Sequence, residues 1–174
     1  MRRIVIAFSI ITLLTASAYG QKNGELEKAT LRGLPGVNVF VNGLGTDIEQ
    51  EGLTKEQIQT DVELRLRKAG IRVLTVEEVR NTEIKPVLMI SVLTFRSKAL
   101  SDFLGGSVYS YSINIELNQT ASLKRAADQQ YLVITWSDNA VGMTTSKALR
   151  TIRDGVGDYV DKFINDYLAA NHKR

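Results

Sequence analysis

The chain contains no cysteine, and its single histidine is His172 in a sequence of 174 residues. Without cysteine there is no disulfide, no thiolate nucleophile and no thiolate metal site. One histidine near the end of the sequence, where chains tend to fray, leaves serine-type, thiol-type and ordinary zinc catalysis without their usual groups. We therefore expect no metal and no cofactor.

Other signatures of catalysis are also missing. The glycines at positions 33, 36, 43 and 45 form neither a phosphate-binding loop nor a dinucleotide fingerprint. Two carboxylates alone can hydrolyse a glycosidic bond, so a carboxylate-based hydrolase stays open as an alternative. No pair of acidic residues is singled out by its spacing, and the sequence predicts no catalytic residue.

Residues 1–20, MRRIVIAFSIITLLTASAYG, have the pattern of a signal peptide. Two arginines precede an apolar run that is too short to span a bilayer comfortably, and small residues follow it. We expect cleavage after Ala18 or before Gln21, and a protein that is periplasmic or secreted. The alternative is an amino-terminal membrane anchor; a lipid anchor is not expected, because no cysteine follows the run. A polar lead-in over 21–30 and a single α/β domain over 31–171 complete the predicted organisation.

Charge gives little indication of a polyanionic partner. The chain has 22 Lys and Arg, and without Arg2 and Arg3 this leaves 20 against 19 acidic residues, a net charge of +1. The basic residues are scattered along the sequence rather than clustered. Nucleic acid is therefore not an expected partner.

Two long helices are predicted from their periodicity and caps. Thr54 and Gln57 form a capping box for a helix over 55–69, which ends at Gly70. Apolar residues at helical spacing predict a closing helix over 146–170. Within it, Gly155 lies beside the apolar stripe and could allow close approach to a sheet, whereas the sequence offers no reason for Gly157.

Five strands are predicted, at 37–44, 71–75, 87–96, 107–123 and 130–137. The strand at 71–75 follows a helix, so a right-handed βαβ unit would place it parallel to the first strand. The last three strands indicate an antiparallel meander. The predicted fold class is α+β, a two-layer α/β sandwich in which a mixed five-stranded sheet, in β-α-β-β-β-β-α order, carries two helices on one face.

The segment 107–123, SVYSYSINIELNQTASL, alternates polar and apolar residues, which predicts a strand with one buried and one open face. The open face is the candidate interaction surface. On the next strand we expect Leu132, Ile134 and Trp136 to face the helices, which would place Tyr131, Val133 and Thr135 on the open face. The candidate interaction residues are Ser110, Ser112, Asn114, Glu116, Tyr131 and Val133.

The strand at 87–96 is apolar on both parities, so one of its rows must lie on the open face. This row is either Leu88, Ile90 and Val92, or Val87, Met89, Leu93 and Phe95. Either arrangement predicts a polar strand flanked by apolar neighbours, and an exposed apolar patch with a polar rim is typical of a contact surface. The alternative is that residues 97–106 or the lead-in fold over the patch.

Three aspartates of the closing helix, Asp154, Asp158 and Asp161, form an acidic stripe. Such a stripe could bind calcium or a basic partner, or it could be an ordinary solvated helix face. The second interpretation is favoured, because rigid helix carboxylates rarely supply the six or more oxygens that calcium requires.

The segments LRGLPGVNVFVNGL, GLTKEQIQTDVELRLRKAGIRVL and IRDGVGDYVDKFINDYLAAN together resemble a group of short exported bacterial proteins without an assigned activity. The resemblance covers most of residues 31–171, implies a bacterial exported origin and transfers no site residues. The element order is also similar to that of the amino-terminal domain of the Tol-system periplasmic protein and to that of the curli-secretion lipoprotein, although the lipid-bearing cysteine of the latter is missing. These likenesses imply an envelope setting.

Three functional hypotheses follow from the sequence. The first is an exported, non-enzymatic interaction domain that binds an envelope or extracellular protein through the open sheet face. The second is the carboxylate-based hydrolase, which requires a pocket with convergent carboxylates. The third is a carrier of a small apolar ligand, which requires a lined cavity between the sheet and the helices.

Overall fold

The structure is a computed structural model and describes residues 24–171. The predicted signal peptide, its cleavage sites and His172 lie outside the described residues. Six α-helices are described: α1 (24–29), α2 (Thr46–Gln50), α3 (Lys55–Lys68), α4 (Val76–Arg80), α5 (Lys98–Leu104) and α6 (Arg150–Asn171). Four strands form one sheet: β1 (Asn38–Asn42), β2 (Val87–Arg96), β3 (Val108–Leu123) and β4 (Ala126–Thr145).

The four strands lie in the order in which they occur along the chain, β1-β2-β3-β4. Strand β1 is parallel to β2, and the two later pairs are antiparallel. The predictions of an α+β fold, a mixed sheet and a closing meander are therefore confirmed. The prediction of five strands is wrong for the described residues, which form four. The two-layer sandwich with only two helices is not confirmed, because the lead-in and the loops form shorter helices as well.

The predicted strand at 71–75 is reduced to a single parallel bridge between Val37 and Val73. The Val37 N–H donates to the Arg72 carbonyl at 3.0 Å, and the Leu74 N–H donates to the Val37 carbonyl at 2.9 Å. Thr75 immediately caps α4 with its side chain. The segment between the end of α3 and this cap is too short for a strand, so the βαβ crossover closes on β2 instead.

Helix α3 forms as its sequence predicts. The Thr54 side chain accepts from the Gln57 N–H at 3.2 Å, and the Gln57 side chain accepts from the Thr54 N–H at 3.3 Å. At the other end Gly70 has a positive φ of 77°, and the Ile71 N–H returns to the Leu66 carbonyl at 2.9 Å. These contacts satisfy backbone groups that a helix end leaves without an intrahelical partner.

The closing helix α6 begins later than predicted, after a 3₁₀ turn over Ser146–Ala148. Gly155 permits the expected close approach, since a Cβ there would lie 3.1 Å from Cδ1 of Ile113 on β3. Gly157 also has a structural reason. A Cβ there would lie 2.5 Å from Nη2 of Arg65, so the glycine lets this side chain cross α6.

One face of the sheet, here called the helix face, carries the core. Helices α3 and α6 pack on it, and Trp136 meets Phe163 edge to face with ring centroids 5.2 Å apart. Because successive side chains of a strand point to opposite faces, a face covered by helices requires every second residue of each strand to be apolar, as the alternation in β3 shows. The buried residues of the helix face are Val39, Val41, Leu88, Ile90, Val92, Ile113, Ile115, Leu117 and Trp136.

Part of the predicted polar lead-in is helix α1, which is tied to β4. The Thr30 hydroxyl donates to the Thr135 carbonyl at 3.2 Å, and Lys28 Nζ lies 3.4 Å from a carboxylate oxygen of Asp166 on α6. Between residues 24 and 171, no helix combines the length and apolarity needed to cross a membrane.

The two parities of β3 are expected to differ strongly in their sensitivity to substitution. Ile115→Ala should lower the free energy of unfolding by roughly 2–5 kcal/mol, because it opens a cavity beneath the helices. Glu116→Ala, one residue along and on the other face, should change it by less than about 0.5 kcal/mol. Denaturant melts of both variants measure the difference, and equal losses would mean that β3 is buried on both sides.

Candidate functional site: a groove on the outer sheet face

The sheet face turned away from α3 and α6 is here called the outer face. The β2–β3 register pairs Leu93 with Ser112 and Phe95 with Ser110, and the β3–β4 register sets Val141 and Met143 on the other side of these serines. Directly paired residues point to the same side of a sheet. Of the two rows that the sequence allowed for β2, the outward one is therefore Val87, Met89, Leu93 and Phe95.

Large apolar side chains stand on both sides of the small serines of β3. Phe95 is 70% exposed, Met143 58% and Val141 83%. Together with Leu93 they form the walls of a groove of about 410 Å³. Ser110 and Ser112 line its centre because their short side chains leave the space between the walls open.

The four predicted polar residues of β3 all lie on the outer face, but they differ in position. Ser110 and Ser112 line the groove, whereas Asn114 and Glu116 lie beyond it along the strand. The Asn114 amide donates to the Ser112 hydroxyl at 3.2 Å. The polar row is thus divided into a groove floor and a half-buried polar continuation.

The segment 97–106 does not cover the groove. It forms α5, which is anchored through Ser101: the Ser101 hydroxyl donates to the Ser97 carbonyl at 2.6 Å and accepts from the Val108 N–H at 3.0 Å. Phe103 and Leu104 of this helix are themselves exposed. The patch on the outer face stays accessible in the described structure, and α5 adds further exposed apolar surface at the end of β2.

Tyr131 and Val133 do not join the other candidate residues, which corrects the predicted surface. The register shifts between Leu117 and Asn118, whose partners are Trp136 and Ile134, so that Thr135 is an extra residue. Such a bulge reverses the parity of the residues before it. Tyr131 and Val133 therefore lie on the helix-face side, beyond the core.

The same bulge exposes two residues that were expected to face the helices. Leu132 and Ile134 lie on the outer side of the β3–β4 hairpin, whereas Trp136 is buried as predicted. The Thr135 hydroxyl donates to the Leu117 carbonyl at 3.3 Å and accepts from the Gln119 amide at 2.6 Å, which holds the bulge in place. Alternation alone carries no sign of an inserted residue.

Val141 and Met143 are groove residues that the sequence prediction missed. The last strand was expected to end at residue 137, whereas β4 continues to Thr145. Its last part, SDNAVGMTT, is rich in residues that disfavour strands, such as Asn, Asp and Gly. The sequence signal that could have identified this part of the strand is the spacing of Asn139, Val141 and Met143 at every second position, which places them on one face.

A second groove, of about 800 Å³, lies between α3 and α6 and is charged. Arg65 Nη1 donates to Asp161 at 2.6 Å, and Arg153 Nη2 donates to Asp61 at 2.8 Å. No residue of the sheet lines it. It therefore lacks the apolar lining between sheet and helices that the carrier hypothesis requires.

The acidic stripe of α6 is largely neutralised by these pairs. Asp161 is bound by Arg65, Asp154 lies 3.3 Å from Arg150, and Asp158 is exposed. Residues 24–171 contain no group of three or more acidic, His or Cys side chains placed to hold a metal ion. Of the three aspartates, only Asp158 thus stands without an arginine named beside it here, and whether the stripe binds a basic partner stays a sequence-based hypothesis.

A pocket of about 330 Å³ beside α1 brings three carboxylates into one region. Burial raises the pKa of Glu27, and the carboxylates of Asp138 and Asp166 raise it further. Lys162 binds Asp138, and the Trp136 indole N–H donates to Asp166 at 3.1 Å.

The Asp61–Arg153 pair predicts a pH-dependent contribution to stability. The hydrogen bond from Arg153 holds the pKa of Asp61 below its ordinary value of 3.8. The stabilisation is therefore complete above pH 3.8 and is lost as the pH falls through the lowered pKa. Asp61→Asn should cost less than about 1 kcal/mol at pH 7, because the pair is partly exposed.

Urea melts of Asp61→Asn and of the unchanged chain, at pH 7 and near pH 3, measure this dependence. The difference in free energy of unfolding should shrink toward zero in acid. Asp158→Asn, on the exposed side of α6, is the control and should show no such change. A difference that persists unchanged at low pH would contradict the assignment.

Comparison with known proteins adds no family to this description. No protein-family model matches the chain, and no curated protein matches it. The function is therefore argued from the groove and its surroundings.

Proposed function

We propose that this chain is an exported, non-enzymatic interaction domain of the bacterial envelope or extracellular space, and that it binds a partner protein through the groove on the outer face. The proposal of export is supported by the pattern of residues 1–20. The proposal of binding is supported by one observation above all. Phe95, Val141 and Met143 remain exposed around a formed groove, and nothing among residues 24–171 covers them.

Exposed apolar surface of this kind has a cost for a protein in water. Each large apolar side chain that could be buried contributes roughly 1.5–3 kcal/mol when water is excluded from it. Most monomeric proteins do not expose a contiguous patch of such side chains without a binding role. The groove therefore offers a ready source of binding free energy to a complementary surface.

The shape of the groove favours a protein over a small molecule. Ligand pockets bury most of the surface of a small molecule, whereas this groove is a shallow channel between two strands with a serine floor. Its walls are apolar and its centre offers hydroxyl groups. A partner segment with one or two apolar side chains and a polar backbone would complement both features.

Photocrosslinking in the native cell tests the proposal. A photoreactive phenylalanine analogue at Phe95 or at Met143 should give the same adduct with another protein. The analogue at Tyr131, which lies on the opposite side of the hairpin, should not give it. Adducts of equal yield at all three positions, or none at the groove positions, would contradict the proposal.

A matched pair of serine variants separates groove binding from general charge effects. Ser112→Lys places a long charged side chain on the floor of the groove and should reduce the adduct at Phe95 at least tenfold. Ser137→Lys places the same charge on the exposed outer side of β4, away from the groove lining, and should leave it unchanged. Thermal melts of both variants check that the fold is retained.

The carboxylate-based hydrolase is a second candidate, supported by the raised pKa of Glu27 beside Asp138 and Asp166. In this candidate the carboxyl of Glu27 would have the role of the general acid. Hydrolysis of chromogenic glycosides or esters that disappears in Glu27→Gln, and persists in the exposed neighbour variant Glu25→Gln, would favour it. Equal rates for the two variants, or no hydrolysis at all, would exclude this candidate.

A further inference from the structure

We infer that strand β4 pairs with β4 of a second copy of this chain, so that two sheets join into one of eight strands. The inference uses the edge of the sheet rather than the groove on its face, and so it does not rest on the proposed function. It follows from the edge position of β4, its length, its charge pattern and the symmetry of the register that it allows.

Strands β1 and β4 are the two edges of the sheet, and they differ. The edge strand β1 has five residues, and its flank is occupied by the bridge from Val37 to Val73 and by the Asn38 amide, which donates to the Leu74 carbonyl at 2.8 Å. Strand β4 has twenty residues. An edge strand presents backbone donors and acceptors that another strand can pair with, and length increases this capacity.

The open part of this edge is residues 137–145. Thr30, which directly follows α1, contacts β4 at Thr135 next to the bulge, and the strand ends at Thr145. Across residues 24–171, no loop or helix forms a backbone–backbone hydrogen bond with 137–145. One local contact competes for this edge, since the Asn139 N–H donates to the side chain of Asp138 at 2.8 Å.

Natural edge strands usually carry devices that prevent pairing, such as lysine, proline or inward charges. The segment 137–145 contains neither lysine nor proline. Its one charged residue, Asp138, is bound by Lys162 of its own chain. Two copies can therefore approach along this edge without placing like charges opposite each other.

The length of the open edge selects one register for antiparallel self-pairing. Directly opposite residues must lie on the same face of the joined sheet. The two-fold axis therefore has to pass midway between one residue and the same residue of the other copy. An axis at Val141 pairs Ser137 with Thr145 and uses every residue between the bulge and the end of the strand. It also sets Val141, which is 83% exposed, against its own copy.

The side chains next to this axis are compatible with pairing. On the helix side the pair is Ala140 with Gly142, which adds little bulk. On the outer side Asn139 faces Met143 of the other copy, beside the Val141 pair. Apolar cross-strand pairs stabilise a sheet, and the two apolar grooves would then lie on one continuous outer face. A strand of another protein would need side chains that match those of 137–145, whereas a second copy of this chain supplies matching side chains by symmetry.

The absence of cysteine makes the register directly testable by crosslinking. Directly opposite residues have Cα atoms about 4.5–5.5 Å apart, which a disulfide can bridge. Val141→Cys, introduced into the full chain and oxidised mildly, should give a covalent dimer. Leu132→Cys is a matched control on the same strand beyond the bulge, is 66% exposed and should stay monomeric. Asn139→Cys mixed with Met143→Cys should crosslink, and neither should do so alone.

Light scattering of the unmodified chain completes the test. At about 100 μM the unmodified protein should have the mass of two chains. Val141→Lys should reduce the mass to that of one chain, because the two lysines would face each other. Leu132→Lys should leave the mass unchanged. A single-chain mass for the unmodified protein, or a dimer that survives Val141→Lys without a Val141→Cys crosslink, would overturn the inference. If the unmodified chain has the mass of one chain and Phe95 still gives a photoadduct with a different protein, this inference fails and the proposed function stands.

Discussion

The fold depends on the covering of only one face of its sheet. Helices α3 and α6 bury the apolar parity of β1, β2 and β3 and the ring of Trp136, while nothing comparable within residues 24–171 covers the opposite parity. No disulfide contributes to the stability of the core, since the chain has no cysteine. Burial of the helix face stabilises the domain, whereas the apolar side chains of the outer face remain in contact with water.

The glycines of α6 show how closely the covering is fitted. Gly155 brings the helix against Ile113, and Gly157 makes room for Arg65 to reach Asp161 across the helix. Each glycine weakens an isolated helix by about 1 kcal/mol relative to alanine. Their presence is explained by the contacts that they allow, with the sheet in one case and with the neighbouring helix in the other.

Much of this architecture could be predicted from local signals. The capping box at Thr54 placed helix α3 correctly, and the alternation of β3 identified its buried face. The strand at 71–75 failed, because a short apolar segment between two helix ends has room for one bridge only. The strand propensity of the segment favoured a strand, but its position between two helices leaves it with a single bridge.

The candidate surface was predicted in part, for a related reason. Ser110 and Ser112 lie where the pattern put them, but Thr135 inserts an extra residue in β4 and moves Tyr131 and Val133 to the other side. A bulge is selected by contacts such as the Thr135 hydroxyl with Leu117 and Gln119, which no local pattern encodes. The end of β4 was missed because its composition is unfavourable for a strand, whereas pairing with β3 stabilises it there.

If the proposed binding occurs, the outer face is open in the isolated chain and occupied in its native setting. Hydroxyl-radical footprinting measures this directly at Phe95 and Met143, with the buried Phe163 as the internal reference. We expect rapid labelling of both residues in the purified chain, and at least several-fold slower labelling in the intact cell envelope or native extracellular fraction. Labelling at the same rate in both conditions, or labelling as slow as that of Phe163 in the purified chain, would contradict it.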